Sequence, residues 1–228
     1  MTRGLSLIAA GTFFFGAFFA FAAWERGARA HEGPAPLVVL YDFKFPDPVY
    51  HYELNADQIG NLRSGGQSSE DGKILGLTVA DYDLGSSYRL DYDHSWLASS
   101  YKVWLQEVTV QFGYKSLAVY VTNGYAPESC AFKATLSHEN DHVGIHRQLY
   151  LKYQGILRQA LENNSALPDE AHAVMASSLD EGKAMLESRI SAILDPIFQR
   201  YRQEVADQQG ELDTPENYWT LHNQCPEW

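Results

Sequence analysis

Cysteine is scarce in this sequence: only Cys130 and Cys225 occur in 228 residues. They form no Cys-x-x-Cys pair, so a dithiol redox function has no support. Positive charge is also in short supply. Lys and Arg number 17 against 29 Asp and Glu, a net charge of −12. Neutralising a phosphate backbone needs the opposite balance, which argues against nucleic acid as a partner. Docking on anionic lipid is disfavoured for the same reason. No internal repeat is evident. What the chain does have is apolar and aromatic mass. Hydrophobic residues make up 45%, with 14 Tyr and 11 Phe, enough for the core of one compact domain.

One long apolar run stands at the N-terminus. Thr2-Arg3 gives a short basic start, Leu5 to Ala23 is apolar or small throughout, and Ala28-Arg29-Ala30 offers a small-x-small cleavage site. Residues 1–30 are therefore expected to be a signal peptide, or an N-terminal anchor if uncleaved, since the run is long enough to span a bilayer. Either form exports the body to the periplasm or beyond. In an oxidising compartment an even, minimal cysteine count implies one disulfide, Cys130–Cys225.

The body divides by pattern. Residues 31–125 read as β-rich. Leu37–Phe45 and Val49–Leu54 are strand-like around Pro46-Asp-Pro48, and Asp57–Arg63 suits a short helix. Lys73–Leu84 and Tyr88–Tyr92 suit strands around a turn at Gly85-Ser-Ser87. Tyr101–Phe112 and Ser116–Thr122 suit a hairpin turning at Gly113-Tyr-Lys115, and a slip in apolar phase near Gln106-Glu107 suggests a bulge. Residues 126–228 read as helical: a long helix from about Ser129 to Leu161, a short one over Asp169–Ala176, and a second long one from the Ser178-Leu-Asp-Glu181 capping box to about Gln209, stopped by Gly210. Asp213-Thr-Pro-Glu216 suits a cap and start for a last short helix. The expected fold class is α+β: an N-terminal antiparallel sheet packed on a C-terminal long helical hairpin, in one compact unit.

The first long helix carries His138-Glu139-Asn140-Asp141-His142. Two His four residues apart share one helix face and can grip one zinc ion, while the intervening Glu can act as general base towards its water. Both imidazoles continue an apolar stripe through Ala131, Thr135, Ile145, Leu149, Tyr153 and Ile156, where a polar group needs a partner. His146 is too far along the helix to share the ion with His138. The third His of the metzincin pattern would fall on Gln148, so this is not a metzincin. His172 reads as a surface residue. Catalytic zinc sites take a third protein ligand. The second helix has a stripe of Leu179, Gly182, Leu186, Ile190, Ile193, Ile197 and Tyr201 that ends in Glu204, the leading candidate. A helix ruler leaves it about 9 Å out of level with His142. Glu187, Asp207 and His222 remain alternatives.

This C-terminal half resembles the bacterial predicted secreted zinc-dependent proteases, a His-Glu-x-x-His domain of unknown function. Those chains combine an export signal, an extended β region, the motif helix and a second helix ending in Tyr-Asp-x-x-Thr-x-His-Gly. Aligning that last Gly with Gly210 sets the family's Asp on Glu204, its Tyr on Gln203, its Thr on Asp207 and its His on Gln209. The resemblance implies a zinc cofactor and a peptide or protein substrate. The expectation is an exported zinc metallopeptidase with His138, His142 and Glu204 as ligands and Glu139 as base. Tyr201, Tyr218 or His222 would be the oxyanion stabiliser. The competing expectation is a non-catalytic cell-envelope module with a structural or degenerate metal site.

Overall fold

The computed structural model describes residues 34–62, 74–162 and 165–225. The signal or anchor segment and the loop over residues 64–72 lie outside them. Pro34–Trp228 form one compact unit, of α+β class, with a five-stranded sheet and four helices among the described residues. Among the described residues no helix is long and apolar enough to cross a membrane.

The sheet is built around one long strand. β4 (Ser100–Val121) is joined along one whole edge by the antiparallel β3 (Gly76–Ser95). Its other edge is shared by three short strands. β5 (Val174–Ala176) pairs antiparallel with Tyr101–Val103, β1 (Val38–Lys44) parallel with Glu107–Gly113, and β2 (Val49–His51) parallel with Ala118–Tyr120. The sheet is therefore mixed, where the sequence suggested an antiparallel one. β1 and β2 run into each other through Pro46-Asp-Pro48 without reversing, and so both lie parallel to β4.

Two expected turns are absent. Gly85-Ser-Ser87 and Gly113-Tyr-Lys115 lie inside β3 and β4, and the reversal occurs over Trp96–Ser99. What resembles turn chemistry at 113–115 is a bulge. The ladder jumps between Asp81 and Tyr82 opposite Lys115, and again between Arg89 and Leu90 opposite Gln106. Each extra residue flips the alternation. The most deeply buried side chains accordingly run 103 and 105, then 108, 110, 112 and 114, then 117, 119 and 121. Gly113 is needed at its position, because its φ of +136° strains any side chain and a Cβ would meet the Lys44 carbonyl.

The helices cover one face. α1 (Ala56–Leu62) buries Ile59. α2 (Cys130–Glu162) and α3 (Leu179–Leu212) pack on each other in opposite directions, Tyr153 meeting Glu204 and His142 meeting Gln209. Leu149, Tyr153, Leu157, Leu186, Ile190, Leu194 and Tyr201 close over Val103, Leu105, Val108, Val110 and Phe112. The Ser178 hydroxyl caps α3 by accepting from the Glu181 amide, and Glu181 reaches back to the Ser177 amide. The segment between the helices is not the expected helix: Val174–Ala176 becomes β5, because its backbone completes the free edge at the start of β4. α3 runs past Gly210 to Leu212, since Gly costs a helix only about 1 kcal/mol. α4 (Pro215–His222) starts with Pro at its first position and is capped by Thr214.

Candidate metal centre

His138 and His142 lie on the buried face of α2, eight and seven per cent exposed. The third group beside them is Asp213, which ends α3 as its C-cap. The two Nε2 atoms are 3.2 Å apart, and Asp213 Oδ1 stands 3.2 Å from His138 Nε2 and 3.1 Å from His142 Nε2. Ligands about 2.1 Å from a tetrahedral ion are about 3.4 Å from one another. This near-equilateral triangle is thus the spacing such an ion needs, and His138, His142 and Asp213 could hold a metal ion.

Gln209, one turn before Asp213, sets the chemistry of His142. Its amide nitrogen donates to the His142 carbonyl oxygen at 3.1 Å, so its oxygen is the atom that faces His142 Nδ1. That nitrogen therefore carries a proton in either state of the ring, so the proton facing Asp213 is the one on Nε2, and its loss leaves the Nε2 lone pair directed into the triangle. On the other side, the Tyr218 hydroxyl donates to Asp213 Oδ1 at 2.8 Å, and its ring lies 5.3 Å from that of His138. Burial alone would raise the Asp213 carboxyl. The hydrogen bonds from both histidines and Tyr218 outweigh it and hold Asp213 well below the usual carboxylate range. For His142 burial works downwards, but hydrogen bonds to Asp213 and Gln209 prevail and raise its pKa.

Glu139, next to His138 on α2, reaches onto the start of β3. It is buried, and its Oε2 accepts from the Thr78 hydroxyl at 2.8 Å. Burial pushes its carboxyl up, against the opposing pull of Thr78, His142 and His138. Gly76 makes this position possible: a Cβ there would lie 2.9 Å from Glu139 Cδ and 2.8 Å from Thr135 Cγ2. Tyr50 of β2 fixes the outer side of the motif by donating to Asn140 Oδ1 at 2.9 Å. His138, Glu139, His142, Asp213 and Tyr218 all line one cavity of about 1060 Å³, bounded by β3, α2, α3 and α4.

Neither a scan of protein-family models nor searches of curated proteins and of solved structures finds a match. Geometry alone therefore sorts the expected site residues. His138, Glu139 and His142 are brought together. Glu204 is not: it pairs with Lys152 and accepts from the Tyr153 hydroxyl at 2.8 Å. The Lys152 hydrogen bond lowers its carboxyl. It sits five residues, about 7.5 Å of helix rise, short of Gln209, which is level with His142. Glu187 accepts from Tyr88 at 2.6 Å, and Asp207 from Gln203 at 2.7 Å. His222 lines the cavity wall. His146 is buried with its Nδ1 2.9 Å from the Tyr114 hydroxyl, which also meets Tyr201. That removes Tyr201 from the candidate oxyanion stabilisers. Cys130 and Cys225 form the expected disulfide, Cα atoms 5.5 Å apart, tying the start of α2 to the residue after α4.

The expected stripe of α3 does not lead to Asp213, because it leaves the buried face by one residue at Ile193, Ile197 and Glu204. The buried face runs Leu186, Ile190, Leu194, Phe198, Tyr201, Val205, not through Ile193 and Ile197. One residue is about 100° of rotation. Continued by fours from Val205, the true stripe passes Gln209 and ends on Asp213.

Proposed function

We propose that the protein is an exported zinc-dependent metallopeptidase, with His138, His142 and Asp213 as ligands and Glu139 as general base. The observation that carries this reading is the triangle of two imidazole nitrogens and one carboxylate oxygen with a buried glutamate beside it, all lining one large cavity. Two neutral imidazoles and a carboxylate are a donor set that suits zinc. When bound, zinc supplies Lewis acidity to a carbonyl and acidifies a coordinated water towards neutrality. The chain's own groups do the rest. Glu139, held by Thr78 in a site whose burial raises its proton affinity, takes a proton from the attacking water and returns it to the leaving amine. Gln209 keeps His142 in the ligating tautomer. The Tyr218 hydroxyl, which donates to Asp213 Oδ1 in the resting site, would turn its one proton to the developing oxyanion.

The disulfide supports export, since such bonds persist in oxidising compartments. The resemblance to the predicted secreted zinc-dependent proteases belongs to the same proposal, with Asp213 in the ligand role that Glu204 was expected to fill. The test is Glu139→Gln. Zinc by elemental analysis should stay near one per chain while hydrolysis of a peptide library falls about 10²- to 10⁴-fold. Full activity in this variant would refute the mechanism.

A further inference from the structure

The stripe of α3 that reaches Gln209 and Asp213 begins, on the cavity side, with Arg202. Arg202, Ala206, Gln209 and Asp213 follow one another at spacings of four, three and four residues, and all four line the cavity. Arg202 is exposed and forms no hydrogen bond or ion pair among the described residues. It is also the only Lys or Arg among the described residues lining the cavity. Beyond it the crevice continues. A second, smaller hollow of about 190 Å³ lies between Leu84 and Ser86 of β3 and Leu194 and Phe198 of α3, and Arg202 lines both hollows. The two hollows together follow β3 and α3 away from the metal centre, with Arg202 at their junction.

We infer that Arg202 binds a carboxylate of the substrate, and that the protein favours peptides carrying one at a fixed distance from the cleaved bond. The inference rests on the metallopeptidase reading for what is cleaved, but not for what is bound. An unpaired guanidinium presents a fork of donors that matches a carboxylate bidentately. From Gln209 to Arg202 is about 10 Å along the helix, which an extended peptide covers in about three residues. The carboxylate is either a C-terminal one or an Asp or Glu side chain. Both have the same chemistry, and one experiment separates them.

The probes are three acetylated hexapeptides of one sequence: with a free C-terminal carboxylate, with a C-terminal amide, and amidated with Asp in the last position. Each is titrated calorimetrically into the zinc-loaded Glu139→Gln protein, and its kcat/KM is measured with the wild-type chain. The expected result is a preference of about tenfold or more for a carboxylate peptide over the plain amide, the size of one charge-assisted contact. That preference collapses towards one in Arg202→Ala and partly returns in Arg202→Lys. Preference for the free acid alone assigns a C-terminal carboxylate; equal preference for the Asp amide assigns a side chain. Equal binding of all three peptides, or binding of none, overturns the inference. Arg202-dependent binding to Glu139→Gln without cleavage by the wild type overturns the peptidase reading and leaves carboxylate recognition standing.

Discussion

Gln209 and Gly76 act on the site without belonging to the ligand triangle. Gln209 decides which nitrogen of His142 carries the proton, because its amide is oriented by the His142 carbonyl. Gly76 decides whether Glu139 has room. Gly76→Ala drives a methyl into the Glu139 carboxylate, so it should cost about 1–3 kcal/mol in urea unfolding and lose most peptide hydrolysis. The ligand assignment separates cleanly at this scale. Asp213→Ala should lose stoichiometric zinc, whereas Glu204→Gln should retain it, as elemental analysis after gel filtration will report. Metal retention in Asp213→Ala would remove Asp213 from the site. His146 carries the pH dependence. Burial first, then the nearby charge of His142, depresses its pKa to about 4. A folded pKa below the unfolded value of about 6.5 means the unfolded chain binds the proton more readily. Its contribution is therefore complete above about pH 6.5 and is lost as pH falls towards 4. The metal-free protein should be less stable at pH 4.5 than at pH 7 by up to about 3 kcal/mol from this residue. His146→Gln should flatten that part of the urea-denaturation profile.

Among elements, α4 is the most dependent on a single bond. It buries no residue of its own, yet it supplies Tyr218, Leu221 and His222 to the cavity wall. Its far end is held by Cys225 to the first residue of α2. A cross-link spanning 95 residues is worth about 4.7 kcal/mol through the unfolded chain. Cys130→Ser with Cys225→Ser should lower unfolding stability by about that amount, and should weaken substrate binding more than zinc content, since Asp213 precedes α4. The motif helix and the second long helix were legible in the sequence, because their apolar periodicity extends over eight or more turns. β5 was not, since three residues carry no period; its state is set by the free edge of β4 at Tyr101–Val103. The length of β4 is hidden in the sequence for a related reason. Bulges at Gln106 and Lys115 break the alternation, and broken alternation looks like a turn when the partner strand is unseen.

At the scale of the whole molecule, the candidate metal centre joins parts distant in sequence. His138 and His142 stand on α2 and Asp213 at the end of α3, with Glu139 held by Thr78 of β3. An ion that binds only this assembled arrangement stabilises the folded state by mass action. Zinc at about a thousandfold over its Kd should add about 4 kcal/mol, read as a rise in Tm that a chelator reverses. A Tm insensitive to zinc and to chelator would argue against a site formed on folding.

By itself the sequence determined the α+β class, the motif helix, the disulfide partners and the identity of Glu139 as the base candidate. Each of these is written in local spacing, in composition or in a count of two. Only the tertiary structure brought forward Asp213 as the candidate third ligand, the mixed sheet and the contact of Gln209 with His142. Each of those depends on how far one helix advances and rotates against another, or on which strand edge stays open. A rotation of one residue along α3 moves the stripe from Glu204 to Val205 and leads the eye either to a salt bridge with Lys152 or to Asp213. Local periodicity cannot fix that phase, because Ile193 and Leu194 are equally apolar; packing against β4 and α2 does.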